Sequence, residues 1–125
     1  CNYGDRLMYL TPMQQCERLR IQCILSPASP YKPGDIKKFV EESRPDAAWY
    51  VLGYAFGSTF DNSGMKNSKE GVEVLKKAGL HVSLLPQAVG PFKNKKTQSL
   101  ARQLFPLFDY IAVRDAESVK AVKSV

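Results

Sequence analysis

An α/β fold built on a parallel sheet is predicted by two features of the sequence. Short apolar, β-prone runs alternate with amphipathic stretches, the order of elements that a parallel sheet with crossover helices requires. The runs themselves, "WYVLG" and "YIAV" among them, are continuously apolar with no polar alternation, as strands covered on both faces are. A Rossmann-like parallel sheet with flanking helices is therefore expected.

The elements follow in order. The chain opens on "CNYGDRL", a glycine turn leading into a helical stretch. Such a turn normally follows a strand, so a first strand is expected upstream, at the sheet centre. The next strand is predicted at residues 21–25. In "GDIKKFVEESRP", Ile36, Phe39 and Val40 fall at i, i+3 and i+4, with Asp35 as the cap and Pro45 as the stop. A strand at 48–53 leads to "NSKEGVEVLKKAGL". Here Asn67 and Glu70 have capping-box spacing, Val72, Leu75 and Ala78 form the stripe, and Gly79 suits a left-handed C-cap. After a strand at 81–85, a helix beyond Lys93 places Leu100, Ala101, Leu104, Phe105 and Phe108 on one face, and Pro106 ends or bends it. A last strand at 110–113 precedes a helix that starts at Asp115 and is expected to run on to Val125.

With 125 residues the chain fits one domain. A composition of 44% hydrophobic and 24% charged residues belongs to a soluble globular protein, and no apolar run is long enough to span a bilayer. Cys1, Cys16 and Cys23 are odd in number and lack CxxC spacing, which argues against a disulfide framework or a zinc site and for a reducing, cytoplasmic compartment. The net charge of +6 favours acidic partners, although a solvated lysine-rich surface accounts for most of it.

Ligands of open α/β sheets sit outside the carboxyl ends of the strands, and four segments fall there. In "NYGD", Asn2 and Gly4 allow a tight turn before a helix start, and Asp5 serves either as an N-cap or as a cleft carboxylate. "GYAFGST" has no lysine before Ser58 and is too short for a Walker motif, which leaves Ser58 and Thr59 as hydrogen-bond donors on a strand-end loop. "PQAVGPF" reads as a rigid loop: Pro86 and Pro91 stiffen it, Gly90 takes a positive φ, and Gln87 offers an amide. Lys93, Lys95 and Lys96 beyond it read mainly as solvated. In "RDAES", Arg114 either clamps a phosphate or carboxylate or pairs with a neighbouring carboxylate, and Asp115 caps the helix. His81, the lone histidine, starts a strand at the opposite end and reads as structural.

At these residues the sequence resembles the polysaccharide pyruvyl transferase family. "NYGD", "LLPQAVGPF" and "DYIAVRDAESVKAV" occur in the family's order and at about its spacing, across nearly the whole chain. The resemblance implies a glycosyltransferase-B-like enzyme of two Rossmann-like halves with the active site between them. This chain would be most of the N-terminal half, residues 1–125, with the first strand and the C-terminal half missing and no activity alone. It also implies transfer of a pyruvyl group from phosphoenolpyruvate to sugar hydroxyls of a cell-surface polysaccharide or its precursor. No cofactor besides the donor substrate is expected, and a lipid-linked acceptor would bring the protein to the inner face of the membrane. Carried over by motif, Asn2, Gly4 and Asp5 lie in the cleft, Gln87, Gly90 and Pro91 form its loop with Ser58 nearby, and Arg114, Asp115 and Ser118 shape the far wall. One departure stands out: the family's glycine-rich strand end is "GYAFGSTFD" here, with Tyr54 and Ala55 where glycines are expected. Two other readings stay open, a nucleotide-sugar glycosyltransferase half-domain and a basic polyanion-binding module.

Overall fold

The longest strand organises the molecule. A computed structural model describes residues 3–24, 32–51, 54–58 and 62–125. Its elements are α1 (Tyr3–Arg18), α2 (Pro33–Ser43), β1 (Ala47–Tyr50), β2 (Tyr54–Phe56), α3 (Asn62–Lys77), β3 (His81–Val89), α4 (Lys95–Leu104) with a 3-10 turn (Phe105–Leu107), β4 (Tyr110–Val113) and α5 (Ala116–Lys123). All pairings are parallel and all involve β3. β1 takes residues 81–84 of β3, and β2 takes 88–89. β4 pairs with 83–87, overlapping the register of β1, so it occupies the other edge of β3. The expected parallel α/β sheet with flanking helices is present.

β3 runs on to Val89, past the expected end at residue 85. Three steps along β3, from Leu84 to Gln87, match two along β4, from Ile111 to Val113. One residue is therefore extra on β3, a bulge. Pro86 lies within it, where its missing N–H costs no ladder bond. The extra residue also changes the phase of burial: Val82 and Leu84 are buried before it, Gln87 and Val89 after it.

Other expectations need correction. Residues 21–24 carry no regular structure and are exposed, so the strand at 21–25 does not form over them; position 25 lies outside the described residues. A strand needs a neighbour, and no described strand pairs with these residues. Helix α3 starts at Asn62, so Asn67 and Glu70 lie inside it and form no cap. Its buried stripe explains this, because it begins at Met65 and continues through Ser68, Val72 and Leu75. Lys32, with Pro33 as the first helical residue, takes the N-cap of α2, and Asp35 stands in the first turn, where its charge favours the helix start. α5 stops at Lys123, with Ser124 as its C-cap.

Gly79 does close α3, at φ +81°, with Leu80 N–H donating to Leu75 C=O (3.2 Å) and Gly79 N–H to Lys76 C=O (3.0 Å), a Schellman pair. The α4 stripe also forms, and the helix tightens into the 3-10 turn at Pro106. α3 packs on α2, on α4 and on the sheet. Tyr50, Phe56, Phe92, Phe105 and Phe108 join their rings in this core, with edge-on pairs such as Phe56–Phe105 at 5.9 Å. In α1, Cys16 is buried as a free thiol, and burial together with the neighbouring Cys23 thiol raises its pKa.

At the amino end of the sheet, Lys76 Nζ donates to both oxygens of Asp109 (2.7 Å each), and Oδ2 also accepts the Val82 N–H (2.7 Å). This joins α3, β3 and the start of β4. His81 Nδ1 lies 3.9 Å from the same carboxylate, at the amino end of β3 and away from the carboxyl ends of the strands. The Lys76 hydrogen bond first, then that from Val82, lowers the Asp109 pKa. The stabilisation is therefore complete above the unfolded value of about 3.9 and is lost as pH falls through the folded value. Acid unfolding of Asp109→Asn should show a shallower fall in stability below about pH 4 than wild type. Identical slopes in a pH-dependent urea series would overturn this reading.

Candidate functional site

The carboxyl ends of β2, β3 and β4 are tied together before any ligand is considered. Gly90 N–H donates to Phe56 C=O (2.6 Å), and Ser58 N–H donates to Pro91 C=O (2.9 Å). Ser58 Oγ accepts from Lys93 N–H (2.6 Å). Ser58 is thus the clamp that fixes the 90–93 loop. Asn94 then caps α4 by accepting the Thr97 N–H (2.8 Å). The Gly90–Pro91 peptide is cis.

Helix α5 closes the other side. Asp115 is its N-cap, with Oδ1 accepting the Ser118 N–H (2.8 Å), and Arg114 N–H donates to Gln87 C=O (3.1 Å), continuing the β3–β4 ladder. The Asp115 pKa is lowered by the Ser118 backbone hydrogen bond first, then by the Ser118 hydroxyl and Arg114. Ser118, 2% exposed, accepts the Val89 N–H on Oγ (2.9 Å). Gly90 has φ +81°, and a Cβ built there would stand 2.4 Å from the Ala121 Cβ. A glycine is needed twice over, for the conformation and for the approach of α5.

Between the 88–92 segment and α5 lies an open groove of about 720 Å³. Its floor is largely apolar, with Val89, Gly90, Pro91, Phe92 and Ala121, and its walls carry Arg114, Asp115, Glu117, Lys120 and Ser124. Arg114 Nε lies 3.3 Å from Asp115 Oδ2, and Lys120 Nζ lies 2.7 Å from Glu117 Oε1.

Of the residues expected at a site, Gly90, Pro91, Arg114, Asp115 and Ser118 meet in this groove, and Ser58 supports its loop. Gly4 and Asp5 belong to the first turn of α1, and their side chains lie outside the described residues. Asn2, Gly53, Thr59 and Asp61 lie outside the described residues, as do the side chains of Tyr54 and Ala55. Gln87 does not sit on a loop. The expected loop over Pro86 to Phe92 begins only at Gly90, because Pro86, Gln87, Ala88 and Val89 belong to β3, and the bulge turns Gln87 inward. It is 1% exposed, and neither amide atom has a hydrogen-bond partner among the described residues. Substituting Gln87→Met should raise stability by about 1–2 kcal/mol, since a buried unpaired amide costs that much and methionine keeps the volume. A lower urea midpoint would show that the amide has a partner it needs. Lys93, Lys95 and Lys96 are exposed and do not line the groove.

Sequence reasoning passed over Glu117, Lys120, Ala121 and Ser124. Their signal was the i, i+3, i+4 and i+7 spacing after the Asp115 cap, which sets them along one face of α5. Among the described residues no group of three His, Cys, Asp or Glu side chains could hold a metal ion, and no helix is long and apolar enough to cross a membrane.

The family model of the polysaccharide pyruvyl transferases matches residues 2–124. The chain belongs to that family. No curated protein and no solved structure matches it. Membership in the polysaccharide pyruvyl transferases makes the protein a transferase by family, with a saccharide acceptor. The motifs "LLPQAVGPF" and "VRDAES" that carried the resemblance are the two segments that build the groove.

Proposed function

We propose that this pyruvyl transferase moves a pyruvyl group from phosphoenolpyruvate to sugar hydroxyls of a cell-surface polysaccharide or its precursor. The match over residues 2–124 carries the reading. In the reaction a proton adds to the methylene carbon of the enol phosphate and a sugar oxygen bonds to its central carbon. A second hydroxyl of the same sugar then displaces phosphate, leaving a ketal and inorganic phosphate. Such a step needs a general acid, a general base and positive charge around the departing phosphate. The full enzyme is proposed to be glycosyltransferase-B-like, with a C-terminal half that supplies donor-binding groups and without which residues 1–125 are inactive. It would work in the cytoplasm, peripherally at the inner membrane face when the acceptor is lipid-linked, and with no cofactor beyond the donor.

The test is to incubate full-length protein with phosphoenolpyruvate and a panel of free and polyisoprenyl-linked oligosaccharides. Mass spectrometry should show a pyruvylated acceptor together with phosphate release. Turnover of a sugar nucleotide in place of phosphoenolpyruvate would sink the proposal.

A further inference from the structure

We propose that Cys16 and Cys23 form a redox-active pair, which a low-molecular-weight disulfide converts reversibly into an intramolecular disulfide. Neither residue lines the groove. A turn brings them together. α1 ends in a Schellman motif: Arg20 takes the left-handed conformation at φ +56°, its N–H donates to Glu17 C=O (3.1 Å), and Ile21 N–H donates to Cys16 C=O (2.8 Å). The chain therefore doubles back, and Ile21 is held at the level of Cys16. Cys23 lies two residues further along that returning segment, and its thiol stands beside that of Cys16, close enough for the two to interact. Among the described side chains of α1, Cys16 alone is buried, at 3% exposure, while Cys23 is exposed.

The contrast in exposure sets the order of the chemistry. Cys23 can reach an external disulfide, whereas Cys16 is covered and is reached only from Cys23. The thiolate is the attacking form, and burial first, then the neighbouring Cys23 thiol, raises the Cys16 pKa, so Cys16 stays protonated while Cys23 reacts. With glutathione disulfide, the Cys23 thiolate attacks one sulfur, a mixed disulfide forms, and one glutathione thiolate leaves and takes up the Cys23 proton. Cys16 then gives up its proton and attacks the Cys23 sulfur. The Cys16–Cys23 bond forms, and the second glutathione leaves with that proton. Two protein thiols are oxidised and one glutathione disulfide is reduced to two thiols. Such a pair suits a reducing compartment, where disulfides are transient and redox-sensing.

Tryptic cleavage after Arg18 and Arg20 puts the two cysteines on separate peptides, residues 7–18 and 21–37, so the bond reads out by mass spectrometry as a cross-linked pair. Full-length protein equilibrated in glutathione buffers should yield this pair, and dithiothreitol should abolish it. Urea should raise the ratio of oxidised to reduced glutathione needed for half-conversion roughly tenfold, because the turn no longer holds the thiols together. Cys16→Ala should halt at the mixed disulfide of Cys23 with glutathione, and Cys23→Ala should leave Cys16 unmodified, with the fold of each variant checked by its urea midpoint. The wild-type measurements decide the matter even where a variant fails to fold. No cross-linked pair in the wild type, a bond of either cysteine to Cys1 in its place, equal conversion in urea, or glutathione on Cys16 in folded Cys23→Ala would overturn the assignment.

Discussion

Gly90→Ala should destabilise the protein by about 3 kcal/mol, of which the left-handed conformation accounts for about 1–2 and overpacking for the remainder. At φ +81° any side chain is disfavoured, and the added Cβ would stand 2.4 Å from the Cβ of Ala121. The 90–93 loop has little freedom to retreat, since Gly90 N–H is bonded to Phe56 and the loop is held twice by Ser58. α5 must therefore yield, and the groove wall moves with it. Urea unfolding of Gly90→Ala and of Gly90→Ala/Ala121→Gly separates the two causes. The double variant should recover the overlap while adding the helix cost of glycine, about 1 kcal/mol, and should keep the conformational part. A single variant as stable as wild type would show that α5 is not pinned against the loop.

Ser118→Ala should cost about 1–3 kcal/mol, because it strands the buried Val89 N–H that now donates to the Ser118 hydroxyl. The bond is the polar tie between the end of β3 and α5, and its loss frees the rim locally. Amide hydrogen exchange should speed up at Val89 and in the first turn of α5, with the core of β3 unaffected. An unchanged Val89 rate would mean that the tie does not restrain the rim. The resemblance placed Ser118 on a cleft wall as an expectation; in the structure its hydroxyl ties the end of β3 to α5.

What could be read from the sequence is what is decided locally. The Asp115 cap, the Gly79 stop, the α4 stripe and the strand at 110–113 each depend on a few adjacent residues, and each is present. β4 is not covered on both faces as its apolar run suggested, since Tyr110 is exposed and Ile111, Ala112 and Val113 are half-buried. The misreadings concern relations between distant segments. Residues 21–24 have strand-like composition, yet strandhood belongs to a pair, and no described strand pairs with them. Asn67 and Glu70 have the spacing of a cap, but the buried stripe reaches back to Met65. Gln87 was expected on a loop because Pro86 and Gly90 flank it, and only the register with β4 shows the bulge that carries it inside. At the site, glycine and proline signalled the loop, whereas the pairing of Arg114 with Asp115 and of Lys120 with Glu117 required coordinates.

The bulge in β3 makes one strand behave as two half-strands set out of step. The amino half is locked to β1 and to the Lys76–Asp109 clasp, while the carboxyl half answers to β2, Ser58 and Ser118. Only the β4 ladder, paired at Ser83 and Leu84 on one side of the bulge and at Gln87 on the other, runs past Leu85 and Pro86 and carries the alignment of the packed end through to the rim.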